Sequence, residues 1–297
     1  MVRRAVLRSA VLTLLLFDTA SVRAIEVKID YTYAAGFFAP GSAARQTIEH
    51  VANFYSNILD DTFSPIATPA PFMSALPPFQ NPGTVEWHWT MSFSNPSGAG
   101  QITRTDQTLA ADEYRLYVGA KSLSGDTLGE GGPGGSSVQP SSNGGNFTQQ
   151  EIDQINVIDA NFKAAVGKRG EASGFARWGG TVTFDSDPET NWHFDHTTLP
   201  AFGENDFLSV AVHEIGHALG LGSSTDWENL TAGSGSNAYF FGPAAMANYG
   251  SQVPLAFELV GGNPVADKGH WREDTISTVF GSASSQETAM SPSVTEG

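Results

Sequence analysis

Cysteine is absent from the 297 residues. That removes disulfide scaffolds, thiolate metal sites, cysteine nucleophiles and thiol redox chemistry together, and leaves His, Asp and Glu as the strong metal ligands. Positive charge is scarce too: 15 Lys plus Arg stand against 31 Asp plus Glu, for a formal charge of −16. Nucleic acid or an anionic membrane surface as a partner therefore has no electrostatic support. Long apolar runs are also missing, since the run at 11–17 falls far short of the ~20 residues that a spanning helix needs. What is present, 40% apolar residues with 11% aromatic, 32 Gly and 16 Pro, is the composition of folded protein in one large or two modest domains.

The run at 11–17 has a different use. Arg3, Arg4 and Arg8 precede it and Val22-Arg23-Ala24 follows it, which is the order of a secretory signal peptide over 1–24. The mature chain is expected to start after Ala24, to be secreted or extracytoplasmic, to have no membrane span and to be a monomer.

Residues 25–124 read as an N-terminal strand and helix region. Val27, Ile29, Tyr31 and Tyr33 alternate with Lys28, Asp30 and Thr32, the period of a strand with one buried face. Over 43–59 the apolar positions Ile48, Val51, Ala52, Tyr55, Ile58 and Leu59 recur at helical steps, ending at Asp60-Asp61. The proline-rich stretch 65–82 is expected to be a surface loop. Val85, Trp87, Trp89, Met91 and Phe93 fall on one side of a further strand, and another is expected at 114–118. So much Gly and Ser occupies 125–147 that a loop or linker is expected there, dividing the chain in two. Thr148 and Glu151 have capping-box spacing, opening a helix with Ile152, Ile155, Ile158 and Phe162 on one face.

The segment from Asn205 to Gly222 carries the chemistry. Asn205 or Asp206 can cap a helix whose buried stripe is Phe207, Leu208, Ala211, Ile215, Ala218 and Leu219, with Gly220 to end it. His213 and His217 stand four apart, so one helical turn points both imidazoles at a common point, with Glu214 beside them. This spacing suits a catalytic zinc: two rigidly placed nitrogens hold the ion, and the carboxylate serves as general base for hydrolysis of a peptide bond. A chance match is the bland alternative.

The motif on an amphipathic helix, in an exported chain, followed by Gly220, resembles the metzincin zinc endopeptidases. In that family a third His usually lies three residues past the glycine, where this chain has Ser223, a poor zinc ligand. His270 is the only His downstream of the helix, and it precedes Ala289-Met290-Ser291-Pro292. That layout resembles the leishmanolysin-like branch, in which a long insertion separates the glycine turn from the third His. The resemblance implies a zinc centre held by His213, His217 and His270, with Glu214 catalytic and Met290 as the Met-turn. Asp226 or Glu258 as a carboxylate third ligand, and a surface His at 270, remain the other readings.

Upstream, 179–189 is similar to the strand and acidic turn that precede the active helix in matrixins, where acidic residues help hold calcium. Calcium at Asp185, Asp187 and Glu189 stands beside a solvated turn as the alternative. Thr183 replaces the matrixin histidine for a structural zinc, so no second zinc is expected, and His193 and His196 are read as exposed. The family continues into a further helix after the Met-turn, for which few residues follow Met290.

The expected fold class is therefore α+β, metzincin-like: a mixed twisted sheet, an active-site helix and an N-terminal strand–helix–strand region, with 148–297 as the zinc-binding catalytic region. A peptide or protein substrate is expected to pair with an edge strand at 172–177. An inactive exported zinc-binding or adhesion protein, and a zinc hydrolase with a non-peptide substrate, are the competing readings.

Overall fold

A computed structural model describes residues 25–34, 36–171, 175–278 and 285–292. The signal-like segment 1–24 and part of the expected edge strand, 172–174, lie outside these residues. The chain opens with β1 (Glu26–Tyr33) and α1 (Ala43–Ile58), followed by β2 (Thr84–Ser94), β3 (Gln101–Thr105), β4 (Glu113–Lys121), β5 (Gly129–Pro133) and β6 (Gly135–Ser142). Then come α2 (Gln149–Lys168), β7 (Gly179–Asp185), α3 (Phe207–Ala218) and the hairpin of β8 (Val253–Val260) and β9 (Asn263–Trp271).

The main sheet runs β1-β4-β7-β5, with the first three strands parallel and β5 antiparallel at the edge. Successive side chains of a strand point to opposite faces, and β4 shows the consequence. Leu116 and Val118 join β7 residues Val182 and Phe184 under α1 and α3. Tyr117, between them, packs on the other side with Phe93, Trp178 and the Phe162 and Val166 of α2. That second side is covered by an antiparallel sheet in which β2 pairs with β3 and β6. The aromatic face of β2 is core there, with Phe93 stacked on Tyr117 at 4.3 Å between ring centroids. Among the described residues no helix is long and apolar enough to cross a membrane.

Several expectations change. The glycine-rich stretch at 125–147 is not a linker: it forms β5 and β6, with Gly134 alone between them, and ties the two sheets together. Glycine is required because β5 lies against α3. A Cβ on Gly131 would stand 2.1 Å from the Glu214 carbonyl oxygen, and one on Gly129 would stand 2.6 Å from Glu214 Cγ. The N-terminal region is not a separate body either, because β4 sits between β1 and β7. The edges of the main sheet are β1 and β5, and residues 175–177 form no strand. Ile58, read as part of the α1 stripe, is 55% exposed where the helix ends. The stretch 65–82 contributes a short strand, Phe72–Met73, to the second sheet.

At the start of α2 the capping box forms as read, with Thr148 Oγ accepting the Glu151 N–H and the Glu151 carboxylate accepting the Thr148 N–H. The same carboxylate accepts from Ala75 N–H at 2.6 Å, fastening the proline-rich segment to the helix.

Residues 225–278 build a small core of their own from Trp227, Phe240, Val253 and Leu255, with Trp271 packed against it. Trp227 stacks on Phe240 at 4.2 Å and lies 4.9 Å from Trp271. The β8–β9 hairpin turns through Gly261 and Gly262, both at positive φ (59° and 83°), as a two-residue turn matched to strand twist requires.

Candidate metal centre and active site

Asp206 caps α3, its carboxylate accepting from the Leu208 and Ser209 N–H groups. Phe207, Val210, Ala211, Ile215 and Ala218 are buried against the main sheet and α1. Tyr55 of α1 donates its hydroxyl to the Val212 carbonyl at 2.7 Å. A Cβ on Gly216 would meet that hydroxyl and Met290 Sδ, each at 3.1 Å, so the helix is clasped at its glycine. Gly220 takes φ +100° and turns the chain out of the helix. Ser223 is exposed, with its hydroxyl bonded to the His217 carbonyl rather than turned to the imidazoles.

His270 arrives by a different route. In the hairpin, Leu255 pairs with Trp271 while the adjacent Ala256 pairs with Asp267, so 268–270 bulge out of the ladder. Bulges of this kind re-aim side chains. Asp267 holds this one, one carboxylate oxygen accepting from Gly269 N–H at 3.0 Å and the other from His270 Nδ1 at 2.6 Å. Gly222 makes room for it, since a Cβ there would stand 2.1 Å from the Gly269 carbonyl.

The three imidazoles therefore meet. Nε2 of His213 lies 3.0 Å from that of His217 and 3.1 Å from that of His270, and the latter two are 3.0 Å apart. Each Nδ1 faces an oxygen acceptor: Ala289 O for His213 at 2.7 Å, Leu221 O for His217 at 2.8 Å and Asp267 Oδ2 for His270. The acceptors put the proton of each neutral ring on Nδ1, leaving three Nε2 lone pairs aimed at one another. Three such lone pairs repel unless a cation sits among them, and three imidazole nitrogens with an open fourth position are a donor set for zinc. These are also the residues whose ligand atoms converge within 4.8 Å among the described residues. Burial first, then the neighbouring His217, lowers His213 to about 4, so the ring is neutral at pH 7, as a ligand must be.

Glu214 is 7% exposed. Burial and the nearby Glu130 carboxylate push its carboxyl up to about 8, against the opposing pull of the Gly131 N–H. At that value the carboxyl keeps its proton at pH 7 in the metal-free site, and a cation beside it would favour the ionised form that a base needs. It lines, with His213, a cleft of about 630 Å³. Met290 is buried beneath the site, and its carbonyl accepts from Trp271 N–H at 2.9 Å, so one short turn touches both α3 and the end of β9.

Other candidates stand apart. Asp226 and Glu258 are exposed and outside the converging group. Asp185, Asp187 and Glu189 do not bring ligand oxygens together with those residues or among themselves. Asp185 is occupied by the loop itself, accepting from the N–H groups of Leu123 and Asp187 and from the Thr190 hydroxyl. His193 is only partly buried and faces Glu204, while His196 is stacked on His50 at 4.5 Å.

Residues 147–234 match the matrixin family. The match supports a metzincin-type zinc metalloprotease, and it covers α2, β7 and α3 with His213, Glu214 and His217, while His270 and Met290 lie beyond it. No curated protein and no solved structure matches the chain. Asp267, Gly222 and the glycines of β5 were not legible in advance. The spacing of Asp267 three residues before His270 is the sole signal, and it is a common one.

Proposed function

We propose that the chain is a secreted zinc endopeptidase in which His213, His217 and His270 hold the metal and Glu214 is the general base. The observation that carries this reading is the trio of Nε2 atoms within 3.1 Å of one another, each ring oriented by its own Nδ1 partner. Zinc bound there would supply a Lewis acid that polarises a carbonyl and makes water nucleophilic near neutral pH. Glu214, buried on the same helical turn and lining the same cleft as His213, takes the proton from the attacking water and returns it to the leaving amine. The outer edge of β5 offers main-chain groups to a substrate in extended form, next to the helix that carries the base. The separation of 53 residues between His217 and His270 supports the leishmanolysin-like layout, with 225–278 as the insertion that delivers the third ligand. Met290 serves as the Met-turn.

The test pairs metal analysis with digestion of casein or gelatin, with and without chelator. Glu214→Gln should keep one zinc per chain and lose at least about 10²-fold in proteolysis. His270→Ala should lose both zinc and activity. Zinc retained by the wild type without digestion of any protein would replace this reading with a silent zinc-binding protein.

A further inference from the structure

The cleft beside the imidazoles has a chemical character of its own. Besides His213 and Glu214, its walls include Asp126, Asp187, Glu189, Asn205 and Ser291, and none of the described residues lining it is Lys or Arg. Asp187 uses one carboxylate oxygen to accept from Glu189 N–H at 2.9 Å, and its other oxygen has no hydrogen bond among the described residues. Ser291 is 3% exposed, and its hydroxyl oxygen is buried without any hydrogen-bond partner among the described residues. A buried hydroxyl left unpaired is costly unless something fills the space beside it. The volume, about 630 Å³, is that of a pocket for a small molecule or a long side chain.

We propose that this cavity receives a lysine or arginine side chain of the substrate next to the scissile bond, making the enzyme selective for basic sequences. The proposal rests on the endopeptidase reading above. The acceptors are dispersed rather than convergent: among the described residues, no three carboxylates of this cleft bring their oxygens together as metal ligands would. Scattered acceptors suit a long flexible cation with several donors, above all the guanidinium with its five N–H groups. Asp185, also in the lining, has its oxygens committed to the Leu123, Asp187 and Thr190 donors. Ser291 adds a buried, unpaired hydroxyl to the wall from the segment that follows Met290, and the charge of −16 favours the approach of basic peptides at long range.

Matched peptides carrying arginine or its neutral isostere citrulline, placed in turn at each position flanking the cleaved bond, test the proposal. At one position the arginine peptide should show kcat/KM about ten-fold or more above its citrulline partner. The ratio should shrink as salt is raised. In Asp187→Asn combined with Glu189→Gln, and separately in Asp126→Asn, it should fall towards one, whereas Asp153→Asn on α2 should leave it unchanged. The same peptides are titrated calorimetrically into zinc-loaded Glu214→Gln, so the preference is read even if nothing is cleaved. Equal binding and equal cleavage of the two peptides would overturn the proposal. So would a ratio that survives in the double variant, or a calcium ion seated on these carboxylates that excludes the arginine peptide. Preferential arginine binding without cleavage would leave the cavity assignment standing and remove the endopeptidase reading alone.

Discussion

Asp267 sits three residues before the third imidazole and does two jobs with one carboxylate, holding the bulge through Gly269 N–H and orienting His270 through Nδ1. An outer-shell carboxylate of this type fixes the tautomer and raises the basicity of the ligand. Asp267→Asn should weaken zinc binding by about 10–100-fold while leaving the helix pair, and hence secondary structure, intact. Competition with a chromogenic chelator, followed by circular dichroism, checks both parts, and an affinity within two-fold of wild type would show that the backbone alone aims His270. At this scale the sequence was partly readable. His213, Glu214 and His217 announce themselves because helical spacing dictates where they point, and His270 because no other histidine follows the helix. Asp267 was invisible, since one acidic residue among 31 carries no mark until the strand bulges.

Among the elements, helices were read more accurately than the strands beside them. The capping box at Thr148 and Glu151 set the start of α2 because its chemistry is local: two donors and two acceptors within one turn. That carboxylate also makes a falsifiable statement about acid stability. The N–H groups of Thr148 and Ala75 hold Glu151 below the usual carboxylate range. Its folded pKa is depressed, so its contribution is complete above the unfolded value and disappears as pH falls through the folded one. Glu151→Gln should therefore lower the thermal midpoint at pH 7, with the gap from wild type closing below about pH 4. Midpoints measured from pH 3 to 7 would show it, and a constant gap would assign the effect to packing instead. Strands β5 and β6 escaped detection for the opposite reason. Glycine has no side chain to alternate, and what makes this stretch two strands is the ladder of β5 to β7, the ladder of β6 to β2 and the closeness of α3, all set by residues far away in the chain.

In the whole molecule, the fold class was legible and the partition of the chain was not. Composition and periodicity indicate an α+β protein, but only pairing shows that β4 lies between β1 and β7 and joins the two halves in one sheet. The imidazole trio crosses the architecture in the same way, with two members on α3 and one from the Trp227 and Trp271 module. Metal bound only by the folded arrangement adds to stability as the logarithm of its concentration over its dissociation constant, about 4 kcal/mol at a thousand-fold excess. Chelation should thus lower the thermal midpoint on the order of 10 °C in a protein of this size, and His270→Ala should no longer respond to chelator. Calorimetry with and without chelator decides it, and an unmoved wild-type midpoint would mean that the trio holds no structural cation.

The passage from β5 into β6, with one residue between, has a mechanical corollary. A single ribbon backs the Glu214 carboxylate at one end and, at the other, is stitched along β2, the strand whose buried face carries Trp87 and Trp89. Loosening the tryptophan layer would slacken the wall behind Glu214, so damage remote from the imidazoles would register first as an altered proton transfer rather than as lost metal.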